Sequence, residues 1–226
     1  MDYTYLEAKR SLDDRSIDRR LYRAFEERAA ALAREHSDAL GILEIGAGSG
    51  AMIERLSHWG VLSSLARFSA LYYEAVEPQV EHAEPLRRRL GARSELQGGD
   101  VFTGTVAEYL EHNEAGVADI VVAHAVLDLF SAKEAAAVCD RLLKEGGILY
   151  ATITFDGESF FEPVEDPQLD SRVRHAYHES MARGGRVGDG YARKLLTELP
   201  KAGLELEDIG SSDWILTPYR GEYGPG

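Results

Sequence analysis

The stretch GILEIGAGSGAMIERL, residues 41–56, constrains the fold more than any other part of the sequence. An apolar run enters a cluster of three glycines, Gly46, Gly48 and Gly50, and a helix-like run follows. A strand that enters a helix through a glycine turn is the usual opening of an α/β nucleotide-binding unit. The stretch therefore predicts an α/β fold with a ligand outside the carboxyl end of its first strand.

Strands and helices alternate along the rest of the chain, and the early strands are apolar on both faces, as buried parallel strands are. We therefore predict a doubly wound, mostly parallel sheet between two helical layers. The predicted strands cover residues 39–46, 72–77, 94–102, 119–123 and 147–155, with further candidates at 204–210 and 212–218. The last two are either a hairpin or one long strand.

The pattern favours one domain over residues 1–226. We divide it into a helical N-terminal cap (1–38), a core that binds the cofactor (39–155), a lid or substrate insert (156–190), and a last helix with one or two strands (191–226). The helix at 132–145 has the clearest ends, because Ser131 and Glu134 form a capping box and Gly146 stops it.

Composition excludes several classes of protein. The net charge of −14 over 226 residues disfavours binding to nucleic acid, which needs a positive surface. No apolar run is long enough to span a membrane, and the charged N-terminus lacks the apolar core of a signal peptide. The one cysteine, Cys139, lies in a helical pattern typical of core packing. We expect a cytoplasmic protein of undetermined oligomeric state.

The spacing of the glycines bears on which nucleotide is bound. The dinucleotide motif is G-x-G-x-x-G, whereas this sequence has G-x-G-x-G, with its third glycine one residue early. The dinucleotide template also has an acidic residue about 20 residues further on, at the end of the next strand. Glu77 has this place, but it comes later in the sequence because of an insert. Glu44 lies inside the first strand, where a carboxylate suits a cationic amine and has no use in a dinucleotide site.

The ordered set LEIGAGSG, AVEP, GGDVF, ADIVVAHAVLDLF and LLKEGGILYATI resembles the seven-stranded class I S-adenosylmethionine-dependent methyltransferases over residues 40–155. The resemblance implies S-adenosylmethionine as cofactor, with Glu44 near its amino-acid end and Glu77 on the ribose hydroxyls. It also implies that Asp100 accepts from the adenine amino group. The other implied cofactor residues are Gly46, Ala47, Gly48 and Gly50 in the loop, Pro78 and Gln79 beside the adenine, Val101 through its backbone amide, and Ala123 near the methionine.

The acceptor is predicted to be a small molecule, because the Asn/Asp-Pro-Pro-Tyr motif of enzymes that methylate nucleobases or glutamine is missing after the fourth strand. His124, at the end of that strand, is the predicted general base, since its unperturbed pKa suits neutral pH. Side chains predicted to line the acceptor site lie in the N-terminal segment and the insert: Tyr5, Arg10, Phe160, Tyr177 and His178. No metal site is predicted, because the pair His175 and His178 lacks a further ligand nearby.

Three other functions are compatible with parts of the pattern. A nicotinamide-dependent oxidoreductase would share the glycine turn, and a regulatory module would bind the methyl donor without turnover. Aminopropyl transfer would need several acidic residues after the fourth strand, where the sequence offers Asp128. The sequence does not specify the acceptor or the atom that is methylated.

Overall fold

A computed structural model describes residues 3–36, 38–154, 159–160, 163–183 and 190–215. A five-stranded parallel sheet forms the centre, in the order β3-β2-β1-β4-β5. This confirms the predicted doubly wound architecture. The strands are β1 (Ala39–Ile45), β2 (Ala70–Glu77), β3 (Leu96–Thr103), β4 (Ala118–His124) and β5 (Leu143–Thr152).

Helices cover both faces of the sheet. Their bounds are α1 (Tyr3–Ser16), α2 (Arg19–Glu35), α3 (Ala51–His58), α4 (Val61–Leu65), α5 (Val80–Gly91), α6 (Val106–His112), α7 (Ala132–Leu142), α8 (Pro167–Arg183) and α9 (Tyr191–Lys201). Helices α2 to α5 bury one face of the sheet, and α6, α7 and α9 bury the other. Within the described ranges, no helix has both the length and the apolar character needed to cross a membrane.

Helix α2 shows how the sequence builds the first layer. Apolar residues at helical spacing, among them Tyr22, Phe25 and Ala29, face the sheet and are buried. The Asp18 side chain caps the helix by accepting from two backbone amides. The Phe25 ring stacks on Tyr150 of β5 with centroids 4.5 Å apart, which fixes α2 against that edge of the sheet.

Helix α7 matches its predicted start. The capping box of Ser131 and Glu134 is present, and the helix passes into β5 at Leu143. Cys139 is fully buried in this layer, as predicted, and burial raises the pKa of its thiol to about 12.

The end of the chain differs from the prediction of terminal strands. Residues 204–215 form neither a helix nor a strand and do not pair with the sheet, so the seven-stranded form is not confirmed by the described residues. Charged contacts hold this segment on α2 instead: Arg20 donates to Asp208 at 2.5 Å, and Arg28 to Glu207 at 3.1 Å. Residues 216–218 of the second candidate strand lie outside the described residues, as do residues 156–158, 161–162 and 184–189 of the predicted lid.

Candidate functional site

The site lies where the order of the strands reverses. Strand β1 pairs with β2 on one side and with β4 on the other. In open α/β sheets, ligands bind outside the carboxyl ends of the strands at such a point. The predicted residues Gly46, Glu77 and His124 all lie at this edge.

The glycine loop joins β1 to α3 through three residues with left-handed backbone, Gly46, Gly48 and Gly50, at φ values of 65°, 54° and 88°. A side chain at Gly46 would place its Cβ 2.5 Å from Val126, and one at Gly50 would lie 2.8 Å from Leu86. Both positions therefore require glycine. The loop backbone can follow this path because glycine occupies these positions. Ala47 is buried between the glycines.

Glu77 ends β2 and organises the loop beside it. One carboxylate oxygen accepts the backbone amide of Gly48 at 2.8 Å, and the other accepts the amide of Gln79 at 3.0 Å. The ring nitrogen Nδ1 of His82 lies 3.2 Å from the second oxygen, and both residues are buried. A carboxylate offers about four acceptor positions, and these three contacts occupy three of them.

His124 ends β4 and is nearly enclosed. Its Nε2 lies 2.9 Å from Nη1 of Arg55, and its Nδ1 forms a short hydrogen bond with Oγ1 of Thr152 on β5. A guanidinium can only donate, so Nε2 is the acceptor and the proton is on Nδ1, which donates to Thr152. Burial lowers the pKa of His124, the nearby carboxylate of Asp13 opposes this shift, and the charge of Arg55 adds to it.

Arg55, on α3, is a site residue that the sequence analysis did not identify. Its guanidinium is 2% exposed and donates through Nε to Asp14 at 2.5 Å. Its Nη2 lies 3.7 Å from a carboxylate oxygen of Asp13 and 3.4 Å from the carbonyl oxygen of Arg10. The available signal was its place among buried positions of α3, three residues after Met52 and directly before Leu56.

Helix α1 covers the glycine loop. The Leu6 side chain lies 3.2 Å from the position of a Cβ at Gly48. Glu7 pairs with Arg89 of α5 at 3.1 Å, and Arg89 also donates to the carbonyl oxygen of Ser49 in the loop. Burial alone would raise the pKa of Glu7, but a hydrogen bond with Ser49 and the charge of Arg89 lower it.

Glu44 lies on the face of the sheet that α2 to α5 cover, not in the loop. It is 2% exposed and accepts the hydroxyl of Tyr73 at 2.5 Å. Burial raises the pKa of Glu44 to about 7, although the Tyr73 hydrogen bond and the charge of Arg55 oppose this shift. The carboxyl is therefore part of a buried polar group next to the site, in contact with Tyr73.

The structure does not bring Asp100 to the edge where Gly46 and Glu77 lie. Strand β3 extends to Thr103, and Asp100 pairs in register with Glu74, three residues before Glu77. Three residues of strand span about 10 Å. Asp100 lines a surface depression of about 400 Å³ over the amino half of the sheet, and Thr103 is level with Glu77.

The remaining predicted cofactor residues are distributed around the edge. Pro78 is exposed after β2, Val101 is buried toward α5, and Ala123 is buried toward α7. Ala125, directly after His124, has a φ of 55°, which is strained for a residue with a side chain. Such strain is often found at functional sites, and no residue pattern around Ala125 indicates it.

The predicted acceptor residues fall into two groups. Arg10 of α1 lies at the site, where it pairs with Glu54 of α3, whereas Tyr5 is 51% exposed. Phe160 is 72% exposed, with the guanidinium of Arg174 5.5 Å from its ring centroid. The rings of Tyr177 and His178 lie 5.9 Å apart on α8. The described residues include no group of three or more His, Cys, Asp or Glu side chains that could hold a metal ion.

The comparison with known families agrees with this geometry. The family model described as "Methyltransferase domain" matches residues 43–151, which include the glycine loop, Glu77 and His124. This part of the chain is similar to the class I S-adenosylmethionine-dependent methyltransferases, which confirms the resemblance identified from the sequence motifs. No curated protein matches the sequence.

Three solved structures share the fold at low identity. A protein assigned as a sarcosine dimethylglycine methyltransferase from Galdieria sulphuraria has a TM-score of 0.53 at 14% identity, over 80% of this chain and 61% of its own. The cyclopropane synthase MmaA2 from Mycobacterium tuberculosis has a TM-score of 0.52 at 13% identity, over 82% and 61%. The [4+2]-cyclase SpnF has a TM-score of 0.50 at 20% identity, over 80% and 57%.

This chain therefore spans less than two thirds of the length of each of these three structures. Their titles name three different reactions on one fold. Similarity at this level establishes the architecture, and the reaction has to be argued from the site.

Proposed function

We propose that this protein transfers a methyl group from S-adenosylmethionine to a small-molecule acceptor. The observation that supports this most is the arrangement of the left-handed glycine loop beside Glu77 at the reversal point of the sheet. The three glycines add no side chains of their own to the loop, and Glu77 has an acceptor position for a ribose hydroxyl beyond its three described contacts. The residues present therefore fit the donor.

S-adenosylmethionine supplies a methyl group that is already activated on a sulfonium, so the protein has mainly to position the reactants and exclude water. Gly46 and Gly48 provide the backbone surface for the donor, and Glu77 binds its ribose. Pro78 and Gln79 flank the adenine. Asp100 is not included in this proposal, because it lies about 10 Å back along β3.

His124 is the proposed base for an acceptor that carries a proton. The acceptor lone pair forms a bond to the methyl carbon as the carbon–sulfur bond breaks, and the acceptor proton moves to Nε2 of His124. Because Arg55 donates to Nε2 at 2.9 Å, this nitrogen accepts a proton only after Arg55 has moved away from it. Thr152 holds the other side of the ring and keeps its orientation.

Transfer of radiolabelled methyl from S-adenosylmethionine to a panel of amine, hydroxyl and thiol compounds tests the proposal. We expect at least one class of acceptor to be labelled. We also expect His124→Ala to lower turnover by roughly 100-fold or more, with donor affinity nearly unchanged, as for loss of a general base. If donor affinity falls and turnover of the bound donor does not, His124 belongs to the donor pocket and is not a base.

A further inference from the structure

Arg55 is placed to control the imidazole of His124. Buried arginines are rare unless they are paired, and this one is 2% exposed at the junction of α1, α3 and β4. It contacts His124 directly, at 2.9 Å, on the nitrogen that faces away from Thr152. The contact joins the proposed base to the helix that follows the glycine loop.

We propose that Arg55 is the positioning residue of His124, which fixes the tautomer of the imidazole and keeps it neutral until the acceptor takes the place of the guanidinium at Nε2. This inference rests on the proposed role of His124 as the base. Because the guanidinium stays charged, it holds Nε2 unprotonated and leaves the proton on Nδ1, toward Thr152. A base kept in this form is ready to accept the acceptor proton at Nε2.

The carboxylates of α1 allow Arg55 to move away from Nε2 of His124. Asp14 holds Nε of Arg55 at 2.5 Å, and Asp13 lies 3.7 Å from Nη2. A buried charge that loses its only partner costs several kcal/mol, but Arg55 keeps both carboxylates when it leaves Nε2. Helix α1 therefore supplies the counter-charge that allows this movement.

Charged groups from two elements face His124 in the described structure. Helix α1 contributes Asp13, 3.5 Å from Nε2, and Lys9, which is 3.5 Å from Asp13. Helix α3 contributes Arg55, and the neutral Thr152 comes from β5. The positive groups disfavour the imidazolium and Asp13 favours it, so Arg55 and Asp13 have opposite effects on the proton affinity of His124.

The first test is nitrogen-15 NMR of the ring nitrogens in the full-length protein without ligands. The His124→Gln variant identifies the signals of His124 among the seven histidines. We expect the neutral ring of His124 to carry its proton on Nδ1, with Nε2 unprotonated. A neutral ring protonated on Nε2 would overturn the proposal, because such a ring cannot accept from Arg55.

The second test follows the same signals through a pH titration of three variants. We expect Arg55→Met to raise the pKa of His124 by about one unit and Asp13→Asn to lower it by a similar amount. Arg88→Met is the matched control, because Arg88 is exposed and pairs with Glu84 on the surface of α5. A merely structural Arg55 would change thermal stability and leave the pKa of His124 in place, which overturns the proposal.

The tests decide the question even if a variant does not fold or the protein does not bind the donor. If Arg55→Met does not fold, the tautomer of the wild-type ring still decides. Neither test uses donor or acceptor, so a protein that fails to bind S-adenosylmethionine can still show the predicted tautomer. Failure of the proposed function and failure of this inference are therefore distinguishable.

Discussion

At the scale of single residues, Glu77 has two roles. It holds the glycine loop through the amide of Gly48, and in the proposed function it binds the ribose of the donor. Gly46 and Gly50 give the loop its path, but only Glu77 supplies a negative charge at the end of β2. Replacing Glu77 therefore disturbs the shape of the loop and removes contacts to the donor, and both changes weaken donor binding.

We expect Glu77→Ala to weaken binding of S-adenosylhomocysteine by on the order of 2–4 kcal/mol, because charge-assisted hydrogen bonds to the ribose are lost. Calorimetric titration measures this change. Glu74→Ala is the matched control, because Glu74 lies on the same strand but accepts the hydroxyl of Tyr109 at 2.6 Å. Equal affinity in the Glu77 variant and the wild type would contradict the ribose assignment.

Glu44 makes stability depend on pH. Its pKa is about 7 in the folded protein, well above the ordinary glutamate value of 4.5. Between these two pH values the folded state therefore binds more protons than the unfolded state. The stabilising contribution is fully present below pH 4.5 and is lost as pH rises to about 7. A shift of this size corresponds to on the order of 3 kcal/mol.

We therefore expect Glu44→Gln to remove the loss of folding stability that occurs as pH rises to about 7. The free energy of unfolding of the variant minus that of the wild type should be larger at pH 8 than at pH 4.5, by on the order of 3 kcal/mol. Urea denaturation at the two pH values measures the difference. Glu84→Gln serves as the exposed control, and the same pH dependence in both variants would show that Glu44 is not the group responsible.

At the scale of elements, helix α1 is the least expected part of the site. The sequence predicted an N-terminal helical cap, but not that Leu6 would lie against the glycine loop or that Asp13 and Asp14 would surround Arg55. Periodicity shows which residues of a helix face the protein. It does not show which other helix they meet, because that depends on the packing of the whole fold.

We expect Asp14→Asn to loosen α1. The hydrogen bond from Arg55 is charge-assisted and partly buried, and its weakening should cost about 1–2 kcal/mol, which speeds amide exchange in α1 by roughly tenfold. Hydrogen–deuterium exchange of α1 against β1 measures this effect. Asp170→Asn, which removes a similar contact with Arg174 within α8, should leave α1 unchanged. Unaltered exchange in α1 of the Asp14 variant would show that the contact does not hold the helix.

The strands were predictable to different degrees. Strands β1 and β4 are short apolar runs with clear ends, and both agree closely with the prediction. Strand β3 was predicted over residues 94–102 together with its exit turn, but pairing with β2 continues to Thr103. The glycines before Asp100 resembled a turn, and the sequence has no feature that shows how far a neighbouring strand extends the pairing.

At the scale of the whole molecule, the sequence was sufficient for the architecture and insufficient for the terminal segment. The order of motifs along the chain predicted the parallel sheet and its family, since each motif marks one end of a strand. Residues 204–207 alternate apolar and acidic side chains as an edge strand does, but ion pairs of Glu207 with Arg28 and of Asp208 with Arg20 hold this segment on α2. Whether this segment pairs with the edge of the sheet or lies on the basic helix α2 depends on three-dimensional geometry, which one sequence does not reveal.

The identity of the bound nucleotide is the central claim, because every role proposed for the site depends on it. Calorimetric titration of the protein with S-adenosylmethionine, S-adenosylhomocysteine and NADH in parallel tests it most directly. We predict micromolar binding of both adenosyl ligands and no binding of NADH. Binding of NADH alone would contradict the account, since the glycine loop and Glu77 would then serve a dinucleotide and the reaction would be a hydride transfer.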